Sequence, residues 1–448
     1  MPRRRTGTGA VVMVAVLLGQ ALAGAADAPV LQISGSADAV ATAAYVTALG
    51  DAVSVYQTGE LTAPVRDAAL AAALDAGAPA ITGRGFSAGL ISVRRGDAVV
   101  QQSSGPGWAF PMGVTALPLE SLGGVFGRAI AAPISQGQIV MGQTSAGLRG
   151  AQVGDVIDLM RADMSPLSFT IGMIAADSDV GGTEILMSTQ QAELLGATLD
   201  TRVLIYGTFD RAAVDAALAQ RGLSGNSKVR IRRSWDAPDP DGTLGMAHTK
   251  ALMGEFDLDY AHLTDLGWTA IGSAWRGAYL PATRELYPTG IRAMCNRVIK
   301  DDLTAALQEV VDSGLAGGID AANANTYGGC SSGQARLARI TQSLGSVSRH
   351  SWGQPIDTNT TTNCQGCVPK MDCRIVRIFR KHNFAWGGNF LTPDGMHFEW
   401  VGEARNTLQY PSKYCPNVAS GQMEATGESP PAQTGRDTLF AGDGLAEA

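Results

Sequence analysis

The cysteines of this chain are confined to residues 295–415, and this distribution constrains the fold more than any other feature. All six lie there, and five of the seven tryptophans lie beyond residue 260. An even number of clustered cysteines predicts up to three disulfides in an oxidising compartment, and their pairing is left open. Cys364 and Cys367 are spaced for a structural zinc instead. That site needs a second ligand pair, and only Cys373 follows closely, so disulfides are favoured.

The N-terminus predicts export. Arg3, Arg4 and Arg5 precede an apolar run from Ala10 to Leu18, and small residues suited to cleavage follow. This pattern predicts a secretory signal peptide over residues 1–28. An uncleaved anchor is the alternative, and no later apolar stretch is long enough to span a membrane. We expect a mature protein in the periplasm, in the cell wall or outside the cell.

A separate α+β domain is predicted over residues 29–250. Short apolar segments typical of strands alternate there with alanine-rich segments typical of helices. Pro64–Ala76 is expected to be a helix that begins at its proline, and Gln138–Met141 a strand. The acidic, proline-containing segment Asp236–Asp241 predicts a linker. The role of this domain is left uncertain.

The composition changes after this segment. Residues 260–415 predict a second domain, which includes a helix over Arg297–Val311. Residues 416–448 are rich in Gly, Ser, Pro and Thr and predict a disordered tail. The net charge of −7 argues against a general nucleic-acid-binding protein.

Two short segments carry the chemistry. The first is SRHSWGQPID, from Ser348 to Asp357, and the second is DGMHFEW, from Asp394 to Trp400. A catalytic zinc takes three His or carboxylate ligands and keeps one position open. His350, Asp357 and His397 supply that set. Asp394 or Glu399 could then accept the proton of the attacking water.

These segments resemble the zinc D-alanyl-D-alanine carboxypeptidase and L-alanyl-D-glutamate endopeptidase family, which shares its fold with the Hedgehog signalling domain. The resemblance covers roughly residues 260–415. The matching residues are Ser348, His350, Gly353 and Asp357 in the first motif, Asp394, His397 and Phe398 in the second, the turn Trp386-Gly387-Gly388, the segment YGGC at Tyr327–Cys330, and Arg339.

The resemblance implies a small antiparallel sheet flanked by helices, with Zn²⁺ on His350, Asp357 and His397. It also implies Asp394 as general base, and Arg339 as the residue that stabilises the oxyanion or holds a substrate carboxylate. Arg336, three residues earlier in the same loop, is the alternative candidate for the arginine role.

Glu399 shares a strand face with His397 if that segment is a strand, so it is a candidate for orienting the ligand or acting as base. Ser348 is a second candidate for an orienting role.

Two residues depart from the family pattern. Pro355 replaces the usual Ala, so a strand there must lie at an edge or begin later. Asp394 replaces the Glu of one family branch, which favours the endopeptidase-like branch.

The segment Gly137–Met160, with its Val153-Gly154-Asp155 turn, weakly resembles the extracytoplasmic domain of MacB/FtsX-type transporter permeases, as does the helix at Gln190–Gly196. An unrelated α+β module is the alternative. The resemblance implies interaction or positioning, with an envelope protein as candidate partner.

The sequence therefore predicts an exported zinc peptidase that hydrolyses bonds involving D-amino acids in peptidoglycan stem peptides. The alternatives are a non-catalytic cell-wall-binding protein and a regulatory protein of an envelope complex, each retaining the fold.

Overall fold

The computed structural model describes residues 50–58, 60–322, 329–338 and 346–417. The predicted signal peptide, residues 418–448 of the predicted tail, Tyr327 and Arg339 lie outside the described residues. The described ranges belong to one compact unit, Ser36–Ala448. Within them, no helix is both long enough and apolar enough to cross a membrane.

Strands dominate the first half of the described chain. They are β1 (Asp51–Tyr56), β2 (Ala80–Arg95), β3 (Ala98–Gln102), β4 (Trp108–Leu117), β5 (Ile139–Gly142), β6 (Val156–Met160), β7 (Pro166–Ala175), β8 (Ile185–Ser188), β9 (Arg202–Gly207) and β10 (Arg230–Arg233).

Short strands continue in the second half. They are β11 (Leu258–Asp259), β12 (Trp268–Thr269), β13 (Glu285–Leu286), β14 (Arg292–Ala293), β15 (Ala335–Ala338), β16 (Ser346–Val347), β17 (Pro355–Asp357), β18 (Phe384–Trp386) and β19 (His397–Trp400).

Helices lie between these strands. They are α1 (Ala63–Asp75), α2 (Leu119–Val125), α3 (Arg128–Ser135), α4 (Gln143–Arg149), α5 (Thr189–Leu194), α6 (Arg211–Gln220), α7 (Met246–Met253), α8 (Ser273–Tyr279), α9 (Lys300–Asp312) and α10 (Cys373–Lys381). The predicted α+β class is confirmed.

Six strands of the first half close into a barrel. Around the ring the hydrogen-bonded order is β2, β6, β7, β5, β8 and β4, and β4 pairs with β2 again. β2 closes the ring because residues 84–90 pair with β4 while residues 89–94 pair with β6. Its pairing with β6 is interrupted between Leu90 and Ser92, and such a bulge lets a strand bend. Buried side chains including Phe86, Val114 and Ile171 fill the interior.

The described part of the second half is built from small sheets and short helices, of which α9 and α10 pack together. β17, β19 and β18 form a three-stranded antiparallel sheet with β19 in the centre. Leu303 and Leu307 of α9 share a buried cluster with Ile375 and Phe379 of α10. This arrangement supports the sheet that carries the second motif.

The same cluster connects the second half to the barrel. Phe256 packs between Trp275 and Trp352, with ring centroids 4.7 and 4.4 Å away. β11 pairs with β4, which places Leu258 opposite Ala109 of the barrel. The core beneath the second motif therefore includes barrel residues.

Most local predictions agree with the observed elements. The helix predicted over Pro64–Ala76 is α1, and the strand predicted over Gln138–Met141 is β5. The helix predicted from Arg297 begins instead as a 3-10 turn, and α9 follows at Lys300. The side chain of Asn296 accepts a hydrogen bond from the N–H of Val298, which caps this first turn.

The prediction of up to three disulfides is confirmed, and three are present. The pairs are Cys295–Cys330, Cys364–Cys367 and Cys373–Cys415. The pairing of Cys364 with Cys367 also disfavours the alternative of a structural zinc at that motif.

The predicted linker at Asp236–Asp241 is wrong in part. Asp239 and Asp241 are buried rather than exposed. Asp239 pairs with Arg232 at 3.0 Å, and Asp241 pairs with Arg380 of α10 at 2.6 Å. The acidic side chains that suggested a solvated linker instead pair with buried arginines.

Candidate metal centre

Two of the predicted ligands face each other across a strand pair. β17 and β19 are antiparallel, and Asp357 lies directly opposite His397. Side chains of opposite residues lie on the same face of a sheet. Pro355 begins β17, which is an edge strand, so its missing N–H leaves a central ladder intact. The expectation for Pro355 is confirmed.

The third predicted ligand, His350, lies in a 3-10 turn at Arg349–Ser351. The hydroxyl of Ser348 accepts a hydrogen bond from the N–H of His350 at 3.3 Å. The N–H of Ser348 donates to the carbonyl of Arg336 at 2.8 Å, which joins the turn to β15. Ser348 therefore holds the backbone of this turn.

The structure brings the three side chains together. One ligand atom from each of His350, Asp357 and His397 lies within 4.8 Å of the others. Oδ2 of Asp357 is 3.2 Å from Nε2 of His350, and its Oδ1 is 3.2 Å from Nδ1 of His397. The carboxylate therefore lies between two imidazole nitrogens, and these atoms converge on one point.

The outer ring nitrogens have partners of their own. Nδ1 of His350 is 2.6 Å from the carbonyl oxygen of Cys330 and must donate to it, since a carbonyl only accepts. Nε2 of His397 is 3.4 Å from Oε2 of Glu399. When the inner nitrogen of a ring that donates outward is deprotonated, its lone pair faces the cluster. Both rings are therefore oriented as metal ligands are.

The carbonyl of Cys330 is held in place by its neighbours. Cys330 forms a disulfide with Cys295, and Gly329 exchanges two backbone hydrogen bonds of 3.1 Å with Asp357. The segment that orients His350 therefore also fixes the backbone of Asp357.

The carboxylates of the cluster favour the protonated form of its histidines. Burial acts to lower the pKa of His397, but its hydrogen bonds to Asp357 and Glu399 outweigh this and raise the pKa to about 10. Burial also disfavours ionised Asp357, but the neighbouring His350 and His397 hold the pKa of that carboxyl well below its usual range. A metal cation at the same place would meet the same attraction.

Asp394 has the opposite electrostatic environment. Burial and, to a smaller extent, the charge of Asp357 raise its pKa to about 6. Its Oδ1 is buried and has no hydrogen-bond partner among the described residues. A carboxyl with a pKa near neutrality and a free acceptor atom is suited to exchange protons.

Gly387 of the Trp-Gly-Gly turn allows Asp394 and His397 to approach it. A Cβ at this position would lie 2.6 Å from the carbonyl oxygen of Asp394 and 3.0 Å from Cβ of His397. The N–H of Asp394 donates to the carbonyl of Gly387 at 2.8 Å. A larger residue would displace the segment that carries both side chains.

The arginine role stays a prediction. Arg339 lies outside the described residues. Arg336 is exposed on β15, and its guanidinium carbon lies 5.7 Å from the centroid of the Trp268 ring.

Sequence reasoning missed Arg349. Glu399 lies on the same face as His397, as the period of a strand predicts, and is almost fully buried. Arg349 is also buried, and its Nε lies 3.6 Å from Oε1 of Glu399. A buried carboxylate requires a compensating cation, and the arginine next to His350 was the signal available in the sequence.

Two imidazoles and one carboxylate form a donor set that suits catalytic zinc, because it leaves a fourth position for water. The geometry of His350, Asp357 and His397 fits such an ion.

Comparison with known families supports the peptidase resemblance. A family model described as D-alanyl-D-alanine carboxypeptidase matches residues 341–400, which include both motifs. No curated protein matches the chain. The match covers far less than half of the chain and none of residues 29–250. The resemblance of that region to permease domains therefore has no support from it.

Proposed function

We propose that this chain is a zinc peptidase that hydrolyses bonds involving D-amino acids in peptidoglycan stem peptides. The observation that carries the proposal is the convergence of His350, Asp357 and His397 within 4.8 Å, inside the segment that matches the carboxypeptidase family. We also infer that the small sheet β17–β19–β18 and its helices adopt the Hedgehog/DD-peptidase-like fold that the resemblance implies.

The residues of the site have different roles in the proposed reaction. His350, Asp357 and His397 would hold the ion. Bound zinc supplies Lewis acidity that activates water at neutral pH. Asp394 accepts the proton of the attacking water and then delivers it to the leaving amine, since its raised pKa suits both steps. An arginine, Arg339 or Arg336, would bind the substrate carboxylate or the developing oxyanion.

The disulfides support the proposed place of action. Three disulfides between residues 295 and 415 are typical of proteins that fold in an oxidising compartment. Together with the N-terminal signal pattern, they support export of the protein. An exported protein would meet peptidoglycan as its accessible substrate. The barrel would then position the peptidase on the cell wall or on an envelope protein.

The test is mass spectrometry of purified peptidoglycan after incubation with the zinc-loaded full chain. Zinc-dependent loss of terminal D-Ala would identify a carboxypeptidase, and zinc-dependent cleavage within the stem or crossbridge an endopeptidase. His397→Ala should abolish either product. His262→Ala is the matched control, because the side chain of His262 is 83% exposed and hydrogen-bonds Asp259 instead.

Absence of cleavage by the folded, zinc-loaded chain would exclude the peptidase. A binding assay on the same peptidoglycan would then test the cell-wall-binding alternative.

A further inference from the structure

Arg349 is a buried cation that connects two parts of the chain. Its side chain is 2% exposed. Nη1 donates to Oγ1 of Thr249 at 2.7 Å, and Nη2 donates to the carbonyl of Leu244 at 2.5 Å. Its Nε faces Glu399. The guanidinium therefore spans from the first motif to the chain that leads into α7.

Glu399 lies between Arg349 and His397. Its Oε1 is 3.6 Å from Nε of Arg349, and its Oε2 is 3.4 Å from Nε2 of His397. The Glu399 side chain is 1% exposed, so water does not compensate its charge. A buried carboxylate without a cation is strongly destabilised, so loss of Arg349 would make Glu399 move or rearrange.

The position of Glu399 determines which nitrogen of His397 is free. A carboxylate at Nε2 keeps a proton on that nitrogen, so Nδ1, which faces Asp357, is the nitrogen whose lone pair can bind a metal. Displacement of Glu399 would release both the ring orientation and the tautomer. The metal-binding geometry of His397 thus depends on Arg349, which does not itself reach the cluster.

The anchor of Arg349 belongs to a part of the chain outside the family match. Leu244 and Thr249 precede residues 341–400 by about a hundred positions. The next residue, Lys250, is buried and pairs with both oxygens of Glu184 at 2.9 Å. Glu184 immediately precedes β8 of the barrel and accepts from the N–H of Gly113 in β4 at 2.8 Å. The contacts therefore run from the barrel to the cluster.

We propose that Arg349 is a positioning residue that holds Glu399 against His397 and anchors the zinc site on the segment Leu244–Thr249. The inference rests on the proposed metal site and deepens it. Residues 341–400 would then not suffice to form a high-affinity site, because the fixed end of the Arg349 contact lies upstream.

The test measures zinc affinity of the full chain by competition with a chromophoric chelator, without substrate. Arg349→Met should weaken binding by about 10- to 100-fold, the range found when partners of a metal-ligating histidine are removed. Arg232→Met is the matched control. Arg232 is also buried but pairs with Asp239 at 3.0 Å, so zinc affinity should stay within about twofold.

A second pair of variants separates positioning from general stability. Glu399→Gln keeps an oxygen that can accept from Nε2 of His397, so it should retain most of the affinity that Glu399→Ala loses. The ¹⁵N NMR spectrum of the zinc-loaded protein should show His397 protonated at Nε2 in the unmutated chain and in Glu399→Gln. If Glu399 had only a structural role, Glu399→Gln and Glu399→Ala would not differ in zinc affinity.

Thr249→Val tests the same contact if Arg349→Met does not fold. It removes one acceptor of Arg349 with little change in side-chain volume. It should weaken zinc binding less than Arg349→Met but more than Arg232→Met does.

The inference is overturned if folded Arg349→Met or Thr249→Val binds zinc as tightly as the unmutated chain. It is also overturned if Glu399→Ala and Glu399→Gln bind equally well. Neither result depends on peptidase activity. A chain that binds zinc through this arrangement but leaves peptidoglycan intact would reject the proposed function and retain the inference.

Discussion

At the scale of the residue, burial sets the acidity of Asp394. Its side chain lies largely out of water, with one oxygen unpartnered, and burial is the main reason that its pKa is raised to about 6. A protein that only needed a stable fold would have a neutral side chain here. The unfavourable burial of the ionised Asp394 carboxylate is instead consistent with its proposed role in proton transfer.

The raised pKa predicts a pH-dependent gain in stability for Asp394→Asn. The pKa of Asp394 is higher in the folded than in the unfolded protein. Its stabilising contribution is therefore present at low pH and is lost as the pH rises through about 6. In the metal-free protein at pH 7, the neutral Asn should increase the free energy of unfolding by about 3 kcal/mol. At pH 4 the difference should nearly vanish.

Urea unfolding of the metal-free full chain at the two pH values is the measurement. Asp265→Asn, at an exposed turn, serves as control and should change little at either pH. An equal effect of Asp394→Asn at pH 4 and pH 7 would contradict the electrostatic explanation.

At the scale of the element, the disulfides differ in how much chain they close. Cys373 is the first residue of α10, and its bond to Cys415 spans 42 positions. Cys364 and Cys367 are only 3 positions apart, and Gln365 between them pairs with Asp394. A longer closed loop removes more freedom from the unfolded chain. The two bonds therefore have different consequences for stability.

We expect the variant Cys373→Ala/Cys415→Ala to lose about 4 kcal/mol of unfolding free energy, and Cys364→Ala/Cys367→Ala about 2 kcal/mol, on the chain-entropy relation. The two double variants are each other's control in urea unfolding under oxidising conditions. A larger loss for the short loop would show that native contacts near Asp394, rather than loop closure, dominate.

At the scale of the whole molecule, the peptidase segment and the barrel share one buried core. The indole N–H of Trp275 donates to the carbonyl of Met253 at 2.9 Å, and that of Trp352 donates to Gly254 at 3.1 Å. Both acceptors lie before residue 260, where the sequence places the start of the second domain. That boundary stays a prediction, and these contacts suggest how to test it.

We expect a fragment of residues 260–415 to unfold without cooperativity. It would leave two buried indole donors unpaired, at about 1–3 kcal/mol each, and it would lack Phe256 between the two rings. A fragment of residues 242–417 regains these partners and should be more ordered, but Lys250 would lack Glu184.

Near-UV circular dichroism and thermal unfolding compare both fragments with the full chain. Cooperative unfolding of residues 260–415 with undiminished zinc affinity would establish the boundary at residue 260. It would also contradict the proposed anchoring of Arg349.

The sequence by itself determined the local features of this protein. The two motifs predicted that His350, Asp357 and His397 lie together. Each motif encodes the short turn or strand that carries these side chains. The helix α1 followed from its proline and apolar spacing, and the edge position of Pro355 from its missing N–H. An even number of cysteines predicted up to three disulfides and left their pairing open.

Only the tertiary structure decided how distant segments meet. The closure of the barrel depends on β2 pairing with both β4 and β6, and the burial of Asp241 depends on Arg380, 139 positions away. The contact of Arg349 with Thr249 joins residues 100 positions apart. No periodicity encodes such partners, because their energy arises when two buried charges or two strand edges come together in the folded chain.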